Sequence, residues 1–240
     1  MEIATALIIV SIAIMSIFQL NRVSSKVNIK LGDNAYLNNH AKYQASLLLL
    51  SFIVLFFVYL QNPQNFWLFF SSGDLSAHAE PVRWFGIGEN KTWIFAGLYL
   101  SIIITLGTFS FVYIQFRKLK VHFKELSPYI FWIIIFSLTN SFSEEAIFRL
   151  GLVSPLYGVL DTSNIILISA AFFGLAHFGG MPHGLIGMLM AGFLGWFLAK
   201  SVIETEGIFW AWLIHFIQDV VIYIGFMLSN ISSGRMVENG

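Results

Sequence analysis

PYIFWIIIFSLTNSFSEEAIFRL, residues 128–150, joins a membrane-like apolar run to charged residues that such a run normally excludes. Its first part, from Pro128 to Asn140, is apolar enough to begin a transmembrane helix. The continuation then places Glu144, Glu145 and Arg149 where a membrane span would carry no charge. Ionisable side chains inside a bilayer are costly, so these three residues are candidates for a functional site.

The composition of the chain is that of an integral membrane protein. Of its 240 residues, 57% are hydrophobic and 11% are charged, and 25 are Phe; the mean hydropathy is +0.77. A soluble domain does not need so many apolar residues to fill its core. The formal net charge of +0 gives no sign of nucleic-acid binding. The absence of Cys excludes disulfides, thiolate nucleophiles and cysteine-based zinc sites.

Seven apolar windows are long enough to predict helices that cross the bilayer. They run approximately over 3–20, 45–60, 93–114, 128–140 and beyond, 164–178, 185–199 and 208–228. Two shorter pieces, NPQNFWLFF and GLVSPLYGVL, are interpreted as interfacial or re-entrant segments, one of which would make an eighth span. The predicted fold is all-α, a polytopic transmembrane helical bundle of about seven to eight spans. We predict one integral membrane domain, 1–240, with N-terminal spans and loops in 1–127 and the motif-bearing spans in 128–229.

Basic residues gather in two predicted loops and indicate the orientation of the chain. They lie between the first two spans and between the third and fourth: Arg22, Lys26, Lys30, Lys42, Arg117, Lys118, Lys120 and Lys124. By the positive-inside rule these loops are cytoplasmic, so we predict an N-terminus outside, and a bacterial chain would lie in the inner membrane. Residues 61–91 then lie outside, where their aromatic clusters favour an interfacial helix or flap. The first 22 residues lack a basic region and a cleavage site, which favours a retained anchor.

Helical spacing separates the roles of the two adjacent glutamates. Glu145 and Arg149 stand four residues apart on one helix face and are predicted to form an ion pair. Glu144 is turned about 100° away from them, so its carboxyl group remains free. A free carboxyl group in an apolar cavity suits a general acid or base, and Glu144 is the candidate for that role. The alternative is that Glu145 and Arg149 form only a buried structural pair.

Three more ionisable residues fall inside the predicted C-terminal spans: His177, His215 and Asp219. His215 and Asp219 are four residues apart, so Asp219 either fixes the orientation and tautomer of the imidazole or is held by it. His177 comes from another span and is followed by two Gly residues and Pro182, which would end its helix. Taken singly, each histidine is interpreted equally well as a hydrogen-bonded packing residue.

The candidate residues belong to an ordered set of three motifs. EEAIFR (144–149) follows the pattern EExxxR, FGLAH (173–177) follows FxxxH, and HFIQD (215–219) follows HxxxD, each on its own apolar span. In this order they resemble the CAAX protease and bacteriocin-processing family of intramembrane endopeptidases, also called the CPBP or ABI family. The resemblance covers roughly 128–229. It implies a helical membrane protease with an active-site cavity among the C-terminal spans.

The resemblance also implies a role for each motif residue. Glu144 and His177 would activate the attacking water, while His215 and Asp219 would face the oxyanion that develops on the substrate. Support of the site would come from Glu145, Arg149 and Phe173. The family usually has Asn at the last position, and an ionised Asp219 cannot donate a hydrogen bond to an oxyanion. Asp219 is therefore either protonated by burial or limited to orienting His215.

Water is the nucleophile that the sequence favours. The spans contain no Cys and no G-x-S-x-G motif, so no enzyme-borne nucleophile stands out. The zinc motif HExxH is absent, and no carboxylate stands out to support His177 as a ligand, so no cofactor is predicted. The alternative is a site for Zn or another divalent metal held by Glu144, His177 and His215.

The expected partners are membrane lipid and a membrane-anchored protein or peptide substrate, as the resemblance implies. Two other functions remain open. In a proton- or cation-coupled transporter, the buried ionisable groups would form a relay near the midplane of the bilayer. In a non-catalytic immunity or assembly factor, the same scaffold would serve a partner protein instead.

Helix lengths leave one difficulty for the predicted site. Counted at about 1.5 Å per residue, Glu144 lies about 24 Å from Pro128, and His215 lies about 12 Å from Gly207. Counted from Asn164, His177 comes out about 10 to 15 Å from the depth of Glu144. Either the helices tilt and start unevenly, or one predicted boundary is wrong.

Overall fold

The computed structural model describes residues 2–32, 34–117, 119, 123–180 and 184–238. Lys118, Lys120 and Pro182, which were named from the sequence, lie outside these described residues. The helices are α1 (Glu2–Ser24), α2 (Ala35–Gln61), α3 (Pro63–Phe70), α4 (Trp93–Phe116), α5 (Ile130–Glu145), α6 (Gly151–Leu156), α7 (Thr162–Ala176), α8 (Leu185–Thr205) and α9 (Phe209–Glu238). A π-helical segment (Ala146–Leu150) joins α5 to α6, and two strands, β1 (His78–Ala79) and β2 (Lys91–Thr92), pair antiparallel. Short 3-10 turns span Arg83–Phe85 and Phe123–Tyr129.

Six helical stretches in the described part of the chain are long and apolar enough to cross a membrane. They are Ile3–Ser24, Ala35–Gln61, Trp93–Phe116, Lys124–Leu156, Leu185–Thr205 and Phe209–Ser233. The remaining predicted window, 164–178, forms the 15-residue helix α7, which spans about 22 Å. A helix satisfies its own backbone hydrogen bonds, as the bilayer interior requires. The predicted polytopic helical bundle is confirmed.

The fourth span is longer than its predicted window, which corrects one interpretation. Helical structure runs from Lys124 to Leu156 through α5, the π-helical segment and α6. The piece GLVSPL therefore continues this helical stretch and is buried in the bundle, rather than forming a segment separate from the fourth span. Measured back from Leu156, Glu144 lies about 18 Å along the helix; measured from Thr162, His177 lies about 22 Å along its own. The two residues therefore reach similar depths, and the difficulty arose from ending the fourth span too early.

The π-helical segment helps to hold α7 beside the fourth span. Within it the helix widens, so that the N–H of Gly151 reaches the carbonyl oxygen of Ala146. The hydroxyl of Ser169, on α7, donates a hydrogen bond of 2.8 Å to the carbonyl oxygen of Phe148. This buried contact places the FxxxH motif beside the EExxxR motif.

Small residues let α7 and α8 approach closely. A Cβ atom added at Gly174 would lie 2.7 Å from the carbonyl oxygen of Met188, and one added at Gly195 would lie 3.0 Å from the Cβ atom of Phe173. Both distances are too short for a side chain to fit without movement of the helices. Because α7 and α8 pair so closely, α8 packs directly against Phe173 at Gly195.

The segment between α2 and α4 fixes the start of α9. The N–H of Ile208 donates to the carbonyl oxygen of Ser71 over 3.0 Å. The indole N–H of Trp210 donates to the carbonyl oxygen of Leu75 over 3.1 Å. From this anchored start, α9 packs against α4 and α5, and α5 also packs against α2. The helix that carries His215 is thus held at its beginning and along its length.

Candidate active site

All seven residues singled out in the sequence meet in one cluster inside the bundle. They are Glu144, Glu145, Arg149, Phe173, His177, His215 and Asp219. The first three lie at the junction of α5 with the π-helical segment, the next two lie at the end of α7, and the last two lie on α9. Helix packing therefore joins motifs that are far apart in the sequence.

The carboxyl group of Glu144 faces both histidines. Its Oε2 atom lies 3.6 Å from Nε2 of His177 and 3.6 Å from Nε2 of His215. These separations are longer than a direct hydrogen bond, and Oε2 is buried without a hydrogen-bond partner among the described residues. The side chain of His177 is 32% exposed and that of Glu144 is 15% exposed, whereas that of His215 is 5% exposed. The cluster is therefore more open on the side of His177.

The second nitrogen of each imidazole contacts an acceptor. Nδ1 of His177 lies 2.8 Å from the carbonyl oxygen of Phe173. Nδ1 of His215 lies 2.7 Å from Oε1 of Glu145. Because a carbonyl oxygen and a carboxylate accept hydrogen bonds, we assign the hydrogen to Nδ1 in both rings. Both Nε2 atoms are then left for chemistry, as acceptors when the ring is neutral and as donors when it is protonated.

The ion pair predicted from helical spacing is present. Nε of Arg149 lies 3.0 Å from Oε2 of Glu145, and both side chains are fully buried. The guanidinium carbon also lies 4.2 Å from the centre of the Phe173 ring, in a cation–π contact. Glu145 thus uses one oxygen for Arg149 and the other for His215. None of the three side-chain nitrogens of Arg149 has a hydrogen-bond partner among the described residues, so the guanidinium charge is balanced by the ion pair with Glu145.

The ring of Phe173 packs between the two imidazoles. Its centre lies 4.4 Å from that of the His177 ring and 5.7 Å from that of the His215 ring, to which it is nearly perpendicular. Phe148 meets the same ring edge-on at 5.2 Å. Phe173 therefore contacts both histidines through its ring and holds His177 through its backbone carbonyl as well.

Asp219 lies beside His215 without a direct hydrogen bond to it. Oδ1 of Asp219 is 3.7 Å from Nε2 of His215, whose Nδ1 atom is held by Glu145 instead. The other oxygen, Oδ2, accepts a hydrogen bond of 3.2 Å from the amide of Asn140. The contact that orients the His215 tautomer therefore comes from the EExxxR motif and not from the residue four positions along α9.

Sequence reasoning missed a layer of polar residues behind the cluster. Asn140 donates to Glu144 as well as to Asp219, and its oxygen accepts a hydrogen bond of 3.1 Å from Gln44. Gln44 also donates to the hydroxyl of Tyr223 over 2.6 Å. Asn140 could have been found, because it lies four residues before Glu144 on the same helix face. Gln44 and Tyr223 lie on other spans, and no pattern in the sequence links them to the motifs.

The alternative metal ligands, Glu144, His177 and His215, are spaced differently from the ligands of a zinc site. Among the described residues, no group of three or more His, Asp or Glu side chains is arranged to hold a metal ion. The 3.6 Å separations between Glu144 and each of His177 and His215 exceed the ligand–ligand distance of about 3.3 Å in a tetrahedral zinc site. The side chains as placed do not form a closed zinc site. A reaction without a cofactor stays the prediction, and the metal site stays its alternative.

A bundle of apolar helices around a buried cluster of carboxyl groups and histidines defines a multi-pass integral membrane protein with a site suited to proton transfer. The family model for the type II CAAX prenyl endopeptidase Rce1-like proteins matches residues 126–221, which include all three motifs. This match confirms the resemblance that the order of the motifs indicated, and it supports a membrane peptidase. It leaves α1 to α4 outside the matched region. No curated protein and no solved structure matches the chain.

Proposed function

We propose that this protein is an intramembrane endopeptidase that hydrolyses a peptide bond of a membrane-anchored protein or peptide, using water activated by Glu144 and His177. One observation carries the proposal: a single carboxylate oxygen of Glu144 lies 3.6 Å from Nε2 of two histidines that come from different helices. The family match over the same residues supports a peptide bond as the substrate.

The first step is the attack of water on the substrate carbonyl. Oε2 of Glu144 has no hydrogen-bond partner among the described residues, which leaves it available to accept a proton from water. Nε2 of His177 contacts the same water and orients it, because its other nitrogen is engaged with Phe173. As the water oxygen bonds to the carbonyl carbon, its proton passes to Glu144 and the carbonyl electrons move onto the oxygen.

The developing oxyanion would be stabilised from α9. Nε2 of a protonated His215 donates a hydrogen bond, and Glu145 holds the ring from the opposite side at 2.7 Å. Asp219 accepts from Asn140 and lies 3.7 Å from His215, so it acts as a charge partner of the imidazolium rather than as an oxyanion donor.

Collapse of the tetrahedral intermediate completes the reaction. The carbon–nitrogen bond breaks, and the proton held by Glu144 passes to the leaving nitrogen, so the products are a carboxylic acid and an amine. The cluster contains three carboxyl groups and one arginine: Glu144, Glu145, Asp219 and Arg149. The proposed mechanism uses these side chains together with His177 and His215, and it assigns no step to a cofactor.

The proposed setting is the inner membrane of a bacterial cell, with the N-terminus outside. Two basic residues support this orientation: Arg22 in the last turn of α1 and Lys26 just after the helix. We expect membrane lipid to surround the bundle. Exposed apolar side chains along α4, such as Ile102 and Leu106, are suited to contact with lipid tails.

Cleavage of a defined peptide tests the proposal. Purified protein in detergent is incubated with peptides that carry a membrane anchor near one end, and the products are identified by mass spectrometry. We expect the wild-type protein to cleave the peptide internally, close to the anchor. We expect no cleavage by His177→Ala, although this variant should be folded as well as wild type. Proton or cation flux in liposomes without any cleavage would instead support a relay and contradict the proposal.

A further inference from the structure

The amide of Asn140 bridges two acidic side chains that come from different spans. Its Nδ2 atom lies 3.2 Å from Oε1 of Glu144, one helical turn along α5. The same atom lies 3.2 Å from Oδ2 of Asp219 on α9. An amide nitrogen has two hydrogens, so it can donate one to each carboxyl group at the same time.

The neighbours of Asn140 fix which way its amide points. Its Oδ1 atom accepts a hydrogen bond of 3.1 Å from Nε2 of Gln44. The second hydrogen of that Gln44 amide points to the hydroxyl of Tyr223 at 2.6 Å. Gln44 is only 3% exposed, so water does not easily replace these contacts. The nitrogen of Asn140 is therefore presented to the carboxyl groups and its oxygen to α2.

We propose that Asn140 is a positioning residue of the active site, an inference that rests on the proposed proteolytic function. By holding Oε1 of Glu144, Asn140 turns Oε2 toward His177 and His215, where the base is needed. By donating to Asp219 as well, it keeps two acidic groups from facing each other without a donor between them. Gln44 supports this role from α2, which lies outside the three motifs.

A purely structural role for Asn140 makes a different prediction. If the amide only satisfied the buried carboxyl group of Asp219, any change that restored a donor–acceptor pair between 140 and 219 would restore both folding and turnover. If the amide positions Glu144, restoring that pair would recover folding but not turnover. An exchange of the two side chains separates these cases.

The experiment compares Asn140→Asp, Asp219→Asn and the double variant, with Asn140→Leu as a variant that lacks the donor altogether. Ser143→Ala is the matched control, because Ser143 is buried on the same helix and its hydroxyl has no hydrogen-bond partner among the described residues. Thermal unfolding in detergent and the kcat and KM of peptide cleavage are measured for each protein. If Asn140→Leu does not fold, Asn140→Ser takes its place.

We expect Asn140→Asp to lower the unfolding midpoint and the double variant to recover it, because the double variant again pairs an amide with an acid. We expect kcat of Asn140→Leu to be at least tenfold below that of wild type. We expect kcat of the double variant to be at least tenfold below that of Asp219→Asn. In both comparisons KM should change less than twofold. Ser143→Ala should match wild type in kcat.

A kcat that recovers together with the unfolding midpoint in the double variant would overturn the positioning role, as would wild-type kcat in Asn140→Leu. The unfolding measurements do not depend on whether the protein is a protease. If wild-type protein cleaves no peptide while positions 140 and 219 remain coupled in unfolding, the proteolytic function fails and the bridge survives. If unfolding shows no coupling, the bridge itself is refuted.

Discussion

Nδ1 of His215 lies 2.7 Å from Oε1 of Glu145, although the two residues are 70 positions apart and lie on different spans. The other oxygen of the same carboxyl group pairs with Arg149 at 3.0 Å. Glu145 therefore serves both interpretations of its motif, as half of a buried ion pair and as the residue that orients an imidazole. Structure and chemistry of the site are linked through this one side chain.

Replacing Glu145 by Gln should destabilise the protein and reduce cleavage. The fully buried guanidinium of Arg149 would lose its only ionic partner among the described residues, and breaking a buried pair costs about 3–5 kcal/mol. Thermal unfolding in detergent measures the loss. An unchanged unfolding midpoint would contradict the pairing.

Removing both charges should separate stability from activity. In Glu145→Leu with Arg149→Met, both members of the ion pair are removed together, and apolar replacements of buried ion pairs are often neutral or stabilising. We expect the unfolding midpoint to return toward wild type, relative to Glu145→Leu alone. Cleavage should stay lost, because His215 has no acceptor for Nδ1. Recovered cleavage in this double variant would show that Glu145 does not orient His215.

Truncating Phe173 should affect folding and chemistry together. Its ring is 1% exposed and contacts Arg149 and both imidazoles, so Phe173→Ala leaves a cavity that costs about 3–5 kcal/mol. Leu167→Ala is the control, since Leu167 lies on the same helix and is 58% exposed. Equal unfolding midpoints for the two variants would contradict a packing role for Phe173.

Chelation distinguishes the two versions of the mechanism. We expect cleavage to continue after treatment with a strong chelator, because the proposed reaction uses only side chains of the chain itself. Metal content is measured on the same sample. Loss of cleavage that zinc restores would instead assign Glu144, His177 and His215 as metal ligands.

The sequence predicts local relationships well in this protein. The spans follow from hydropathy, and the pairing of Glu145 with Arg149 follows from their spacing along one helix. The ordered motifs also single out His177 and His215, because ionisable groups are rare in apolar helices. These inferences need only the geometry of one helix or the cost of burying a charge.

Contacts between side chains on different helices cannot be predicted from the sequence in the same way. No pattern along the chain shows that Glu145 contacts His215, or that Gln44 on α2 holds Asn140 on α5. The piece GLVSPL was separated from the fourth span because Glu144, Glu145 and Arg149 interrupt the hydropathy of a helix that continues to Leu156. Those charges have partners on other helices as well as on their own. The hydropathy of a single segment carries no information about partners on other helices.

The cleavage rate of Glu144→Gln tests the central claim most directly, since this change replaces the proton-accepting oxygen while keeping the shape of the side chain. General-base catalysis contributes about 10²–10⁴-fold, so we expect the rate to fall by at least about 100-fold. The unfolding midpoint should remain close to that of wild type, because Oε2 of Glu144 makes no hydrogen bond to the described residues. Cleavage by Glu144→Gln at the wild-type rate would contradict the account.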